Sequence, residues 1–299
     1  VLRQGIKIRF RCIDHRRHQY PIAMMCRVLN VSKSGYYAWR TRPESTRAKT
    51  DRELTRVIRR CHADSGGVYG SPKIRGDLHD EGFKVGRNRV ARLMREAGLR
   101  GVPKRRFRVK SAKAAGHLVS SNQLAQNFRA EQANERWASD ITYIHTTQGW
   151  LFLAIVMDLY SRKIVGWSMD RNMSRYLVID ALRMSIGRRQ PAEGLVHHSD
   201  RGPQYTSDEF LAELEQNGMT PSMSGSGNCY DNAVVESFFG LLKRERVNRV
   251  SYRTRAEAQS DLFEYIEVFY NRKRRHGYLG NISPAAFEKW ACGLYETVH

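Results

Sequence analysis

The chain is short of cysteine, of long apolar runs and, in its first half, of acid. Its five cysteines (Cys12, Cys26, Cys61, Cys229, Cys292) are odd in number and include no CxxC pair. A disulfide framework or a structural zinc site of familiar spacing is therefore not expected. A looser group, Cys12, His15, His18 and Cys26, fits no standard metal spacing and reads as part of a basic, irregular leader. No stretch approaches the roughly 18 apolar residues of a membrane helix. The basic N-terminus has no apolar signal-peptide core. The expectation is a cytoplasmic protein with no membrane partner. Repeats and long low-complexity tracts are also missing.

What is present is positive charge, unevenly placed. The 299 residues carry a formal net charge of +21 and are 41% hydrophobic, enough for the cores of two or three domains. Residues 1–130 hold 31 Lys and Arg against 9 Asp and Glu, whereas residues 131–299 hold 20 against 21. A basic half joined to a near-neutral half reads as a DNA-gripping module fused to a working module.

The chain divides by pattern into five stretches. Residues 1–45 combine the leader with a helix-turn-helix-like segment. There Pro21 opens a helix in which Met24, Met25, Val28 and Leu29 share a face, and Ser32 caps a short helix carrying Tyr36, Tyr37 and Trp39. Residues 46–102 read as an all-α helix-turn-helix DNA-binding domain. Leu54, Val57, Ile58 and Cys61 make one apolar stripe, Ser71-Pro72 starts the next helix, and residues 87–97 form the candidate recognition helix. Its core face is Val90, Leu93, Met94 and Ala97, which leaves Arg87, Arg89, Arg92 and Arg95 for phosphates or bases. Residues 103–130 are a basic linker; Lys104, Arg105 and Arg106 could track the DNA backbone. Residues 131–246 alternate strands (136–146, 150–159, 163–169, 194–198, 220–224) with helices (175–187, 207–216), a mixed α/β sheet of five strands flanked by helices. Residues 247–299 form a short helical tail. It holds the capping box Thr254-Arg-Ala-Glu257 and the basic run Tyr270-Asn-Arg-Lys-Arg-Arg-His276.

Three acids in the near-neutral half carry the chemistry. Asp140 sits in Trp137-Ala-Ser-Asp-Ile-Thr-Tyr, where its neighbours read as a strand. Asp200 directly follows a short apolar strand, at the edge where open sheets bind ligands. Glu236 lies one helical turn after Asn232, which, like Asp231, could cap that helix. Three converging carboxylates repel one another, and divalent cations relieve that repulsion. Mg²⁺, with Mn²⁺ as a substitute, prefers oxygen ligands. Two ions roughly 4 Å apart could flank a phosphodiester, with Asp140 bridging and Asp200 and Glu236 each completing one ion. Asp158, which ends an apolar strand, is the best decoy for such a role. Trp137 and Trp167 read as core residues.

At these residues the sequence resembles the OrfB-type transposases of bacterial insertion sequences, the DDE branch related to retroviral integrases. The resemblance covers nearly the whole chain. It is carried by Val28-Leu-Asn-Val-Ser-Lys-Ser-Gly-Tyr-Tyr-Ala-Trp, Arg89-Val-Ala-Arg-Leu-Met-Arg-Glu-Ala-Gly-Leu, the Asp140 segment, Met157-Asp-Leu-Tyr-Ser-Arg-Lys-Ile-Val-Gly-Trp, His198-Ser-Asp-Arg-Gly-Pro-Gln-Tyr, Gly227-Asn-Cys-Tyr-Asp-Asn-Ala, Glu236-Ser-Phe-Phe, the Tyr270 run and Ile282-Ser-Pro-Ala. It implies a ribonuclease-H-like core, Asp140, Asp200 and Glu236 as catalytic acids, and Mg²⁺-dependent cleavage and joining of element ends. It also implies action on double-stranded DNA (terminal repeats and target), a homo-oligomer on that DNA, and a bacterial, nucleoid-associated setting. Relatives are often fused to an upstream OrfA product, so this chain, which begins at Val1 without an OrfA-like coiled coil, is expected to be the catalytic portion. Two departures stand out: Ser226 where a basic residue is usual, and Pro203 in place of a small one.

Further DNA contacts are expected from Lys243, two turns beyond Glu236, from Arg201 with Gln204 beside Asp200, and from Arg272, Lys273, Arg274, Arg275 and His276. Two rival readings stay open at this level. One is a DNA-binding regulator with an idle core; the other is a nuclease on the same fold that cuts without joining.

Overall fold

The computed structural model describes residues 5–103, 130–224 and 232–293. Lys104, Arg105, Arg106, Ser226, Cys229 and Asp231 lie outside the described residues. The chain divides into two compact units, Val1–Val57 and Ile58–His299, with the boundary inside one long helix.

In the first unit, α1 (Ile6–Arg16), α2 (Ile22–Val28) and α3 (Lys33–Thr41) surround Phe10, Ile13, Met25, Cys26 and Tyr36. The Tyr36 hydroxyl donates to Asp14 (3.0 Å), and Arg17 pairs with the same carboxylate (2.9 Å). Helix α1 occupies the stretch read above as an irregular leader. The sequence hides it because Phe10 and Ile13 make too thin a stripe among Arg9, Arg11, Arg16 and Arg17; their partners come from α2 and α3. The expected shared face of α2 also changes. Met25 and Cys26 are buried, whereas Met24 and Val28 are exposed. Ser32 caps α3 as expected, accepting the Gly35 N–H (3.0 Å).

Helix α4 (Thr46–Asp64) carries the buried stripe Leu54, Val57, Ile58 and Cys61. In the second unit, α5 (Ser71–Asp80) starts with Pro72 in its first turn and buries Ile74 and Leu78; α6 (Arg87–Glu96) buries Val90, Leu93 and Met94. The chain leaves α6 through Gly98 at φ 72°, a left-handed exit that favours glycine.

The sheet contains β1 (Arg136–Thr146), β2 (Gly149–Asp158), β3 (Ile164–Asp170), β4 (Val196–Ser199) and β5 (Thr220–Met223), in the order β3-β2-β1-β4-β5. The first three strands are antiparallel neighbours, while β4 runs parallel to both β1 and β5. Helices α7 (Arg175–Arg189) and α8 (Asp208–Gln216) cover one face over Trp137, Val156 and Val165. Packing of α7 on β3 is so close that a Cβ on Gly166 would come within 2.2 Å of the Ala181 carbonyl oxygen. Helices α9 (Ala233–Glu245) and α10 (Arg255–Phe263) cover the other face over Ile144, Leu153 and Ile155, burying Phe238, Leu242 and Leu262. The Thr254–Glu257 capping box opens α10, which widens into a π-helical stretch at Glu264–Tyr270.

The C-terminal tail is woven into this core. Asn271 pairs its side chain with both the N–H and the carbonyl of Ile164 (2.9 Å each). Glu288, on α11 (Pro284–Ala291), accepts from Lys163 (2.7 Å), Ser161 (2.8 Å) and Arg189 (2.7 Å). Arg274 is buried and clamps Glu245 of α9 with two bonds (2.6 and 2.7 Å), and Tyr265 donates to the same carboxylate (2.9 Å). Arg275 pairs with Asp77 (2.6 Å) and Asp80 of α5, and its N–H donates to Tyr69. Arg274 and Arg275 were expected to grip DNA. Instead their guanidinium groups neutralise carboxylates within the chain, which removes them as phosphate contacts. His276 is likewise buried, its pKa pushed down to about 3 by burial and by Arg274, Lys73 and Arg162. Arg272 and Lys273 remain exposed.

Candidate active site

The register of β1 against β4 positions the first two acids. Arg136, Trp137 and Ala138 pair with Val196, His197 and His198. Asp140 lies two residues beyond the last pair on β1, and Asp200 two beyond it on β4. In a parallel ladder equal offsets keep residues side by side, with strands about 4.8 Å apart. Side-chain alternation puts Asp140 on the same face as Ala138, the face covered by α9. On α9, Val235, Phe238, Phe239 and Leu242 form the buried side. Glu236 falls on the flank of that stripe and stays open to solvent, with Lys243 seven residues along the same line.

Electrostatics shows that Asp140 senses the other two acids. Asp140 has its pKa pushed up to about 7, chiefly by burial, next by Asp200, and further by Glu236; the Ile141 N–H (2.8 Å) and Lys243 oppose this. Glu236, exposed overall, is raised by partial burial against its neighbours. Lys243 is pushed down by burial and partly restored by Asp140. Asp200 accepts the Gly202 N–H (2.9 Å) across its turn, and a Cβ on Gly202 would crowd that carboxylate at 2.9 Å. Among the described residues, no three His, Cys, Asp or Glu side chains are drawn together tightly enough to hold a metal ion. The acids are thus near neighbours that do not close on one point. The group Cys12, His15, His18 and Cys26 likewise forms no metal site.

Several supporting residues had no signal in the sequence beyond their position. Asn232, read above only as a helix cap, makes no capping bond; it is buried and donates to the Ser139 carbonyl (3.2 Å), tying the start of α9 to the residue before Asp140. The Ser139 hydroxyl lies 2.7 Å from His197 Nε2, and burial drives the His197 pKa down to about 3, so its ring is neutral. Tyr205, fully enclosed, has its pKa raised by burial, Asp140 and Asp200. Arg201 donates to the Ser224 carbonyl (2.7 Å) and Gln204 to that of Met173 (3.1 Å), so both brace the loops around Asp200. Of the helix-turn-helix arginines, Arg87 and Arg95 are exposed, while Arg92 pairs with Glu96 (3.1 Å). Asp158 is fully buried among the N–H groups of Asn134, Tyr160 and Ser161 and the guanidinium of Arg189, a structural acid.

Comparison with known proteins agrees with this layout. Residues 130–229 and 236–290 match families described as Integrase core domain, and residues 49–107 match an HTH-like domain. The chain is 41% identical over 279 residues to the Transposase InsF for insertion sequence IS3A of Escherichia coli (strain K12), covering 92% of this chain and 96% of that protein. The chain belongs to the IS3-type insertion-sequence transposases. An Insertion element IS600 uncharacterized 31 kDa protein from Shigella sonnei is 43% identical over 265 residues, or 89% of this transposase and 97% of that protein. Among solved structures, a simian T-cell lymphotropic virus intasome in complex with PP2A regulatory subunit B56 gamma aligns over 77% of this chain and 74% of its own (TM-score 0.45, 14% identity). The HTLV-2 integrase catalytic core domain in complex with magnesium aligns over 54% and 99% (TM-score 0.41, 16% identity). By its family and domain matches the transposase carries a polynucleotidyl transferase core and an HTH-like helical module, and neither the regulator nor the stand-alone nuclease is favoured. No helix among the described residues is long and apolar enough to cross a membrane.

Proposed function

We propose that Asp140, Asp200 and Glu236 are the catalytic acids of a Mg²⁺-dependent DDE reaction that cleaves the element's DNA ends and joins them to target DNA. The observation that carries this reading is the register that sets Asp140 beside Asp200, with the pKa of the Asp140 carboxyl pushed up to about 7 by burial, by Asp200 and by Glu236. An all-oxygen donor set with unrelieved mutual repulsion fits hard divalent cations, which prefer oxygen and keep several waters. Asp140, Asp200 and Glu236 would together hold two Mg²⁺ ions, with Asp140 the shared ligand; Mn²⁺ could replace Mg²⁺. When bound, the ions would activate the attacking oxygen and stabilise the leaving one.

The chain's own residues hold the strand for that chemistry. Lys243, beside Asp140, supplies the charge that keeps a phosphate over the acids. Asn232 fixes the separation of α9 from β1, and hence of Glu236 from Asp140. Arg87, Arg89 and Arg95 of α6 offer charge for the element ends, and Arg272 and Lys273 for a second duplex segment. The proposed organisation is a helix-turn-helix module at 46–102, a basic linker at 103–130 and a catalytic core from 131. Partners are the terminal repeats, target DNA, further copies of the chain and an upstream OrfA product, in a bacterial, nucleoid-associated setting.

The test is Mg²⁺-dependent cleavage and strand transfer on oligonucleotides carrying the native element ends, beside Asp200→Asn and Glu236→Gln. Joined products from the unaltered chain and from neither variant are expected. Equal activity in either variant removes that acid from the mechanism.

A further inference from the structure

At the far end of β1 and β2 the sheet is left bare. Tyr143 is 56% exposed and Trp150 47%, and His145 is exposed between their backbones. Antiparallel register explains the grouping. His145 pairs with Trp150 and Tyr143 with Phe152, so these side chains rise on one face, while Thr142, Ile144 and Thr146 point into the core on the other. The rings touch. Tyr143 and Trp150 meet edge to face (5.2 Å between centroids, 86°), as do His145 and Trp150 (5.2 Å, 79°). A single exposed aromatic calls for no explanation, but three joined through Trp150 form a patch.

Two cations flank the patch, and one joins it to the acids. The Lys243 ammonium stands 4.6 Å from the Tyr143 ring centroid and interacts electrostatically with Asp140. Arg255 donates to the Trp150 carbonyl (2.9 Å). The β1–β4 ladder stops at Ala138, so the β1 edge beside Asp140 has no β4 partner from there on.

We propose that Tyr143, His145 and Trp150 form a stacking platform for unpaired bases of the DNA strand whose phosphate lies at Asp140. A nucleotide combines a flat aromatic ring with an anion one short linkage away. The rings lie on the sheet face opposite Asp140, but the β1 edge is open beyond Ala138 and Lys243 spans it, so a strand that turns around that edge meets the rings one lysine away from the phosphate site. Bases within a duplex have both faces covered by neighbours, so only a frayed or melted end can offer a free face to the rings. Such stacking tolerates any base, because every base has a π-face. A second copy of the chain would have to bury Lys243 and Arg255 against itself, whereas a nucleic acid neutralises both. The platform selects ends that are melted and thereby draws the terminal nucleotides away from the cleavage point. The proposal rests on the catalytic reading above only for where the strand lies.

The experiment reads binding, without metal and without cleavage, so failure of the catalytic reading leaves its outcome intact. The Kd of the full chain is measured for a duplex with fully paired ends and for the same duplex with three mismatched terminal pairs. 2-Aminopurine in the terminal position reports stacking by quenching. The unaltered chain should prefer the frayed duplex by about 5- to 100-fold. Trp150→Ala and Tyr143→Ala should reduce that ratio towards one and restore 2-aminopurine fluorescence. Trp150→Phe should retain most of the ratio. Lys243→Ala should weaken both duplexes alike and flatten the salt dependence. Thermal melts of each variant guard against misfolding. Equal Kd values for both duplexes in the unaltered chain would overturn the proposal, as would an unchanged ratio in folded Trp150→Ala and Tyr143→Ala. A change in oligomeric state in place of DNA preference would overturn it in favour of a contact between copies.

Discussion

Asp140 and Asp158 both belong to the β1–β2 pair, and both have pKa values raised by burial, yet their surroundings assign them opposite tasks. Three backbone N–H groups and the Arg189 guanidinium converge on Asp158, so its charge is answered from every side. Asp140 accepts one N–H, that of its own neighbour, and faces Asp200 and Glu236. A buried acid that is fully satisfied ties a fold together; one left among like charges is poised for a cation. The difference lies in the donors, and burial alone does not reveal it.

The contrast can be broken most severely at Asp140. Asp140→Asn should lower strand-transfer rates by at least about 10³-fold, roughly 4 kcal/mol of transition-state stabilisation, while leaving the fold intact. Single-turnover kinetics would show it, and a loss under tenfold would place Asp140 outside the chemistry. Asp158→Ala should instead cost about 3–5 kcal/mol of stability, because it leaves three N–H groups without an acceptor and takes one of two carboxylates from Arg189; urea unfolding measures this. An unchanged unfolding midpoint would mean the network is dispensable.

pH sharpens the comparison. In the metal-free protein the folded Asp140 keeps its proton up to about pH 7, while the unfolded chain releases it near 3.8. Its effect on stability is therefore neutral below about pH 4, grows steadily unfavourable towards pH 7 and levels off above, to at most about 4 kcal/mol. Melting curves of Asp140→Asn and the unaltered chain should coincide at pH 4 and separate as pH rises, with the variant the more stable. Added Mg²⁺ should close the gap more at pH 8 than at pH 5, since it competes with that proton. A constant gap at every pH would show that Asp140 titrates normally. The smallest effect is expected at Thr254→Ala, which removes one side of the α10 capping box for about 1 kcal/mol; calorimetry would resolve it, and transfer rates should not move.

Much of the sheet was legible because strand periodicity is local. β1 falls at the expected residues, and β2 to β5 within one or two. The placement of Asp140 and Asp200 follows from strand order alone. Charge was a poorer guide. The run Arg272–His276 reads the same whether it faces phosphates or buried carboxylates, and the deciding partners lie far off in sequence: Glu245 is 29 residues from Arg274, and Asp77 is 198 from Arg275. Helix α1 was missed because its packing partners sit on other helices. The Asn232 tether to Ser139 spans 93 residues and leaves no local trace.

Arg274 and Arg275 are joined by a single peptide bond, yet one holds the helix that carries Glu236 and the other holds α5 of the helix-turn-helix. Modules that look separable along the chain thus share an anchor point one residue wide. A chimaera that exchanges residues 58–102 for the equivalent piece of a relative must bring counterparts of Asp77 and Asp80 with it. Otherwise it leaves a guanidinium without its anions beside the strut of the helix that carries Glu236, and the exchange would come at the expense of how Glu236 is aligned with Asp140 and Asp200.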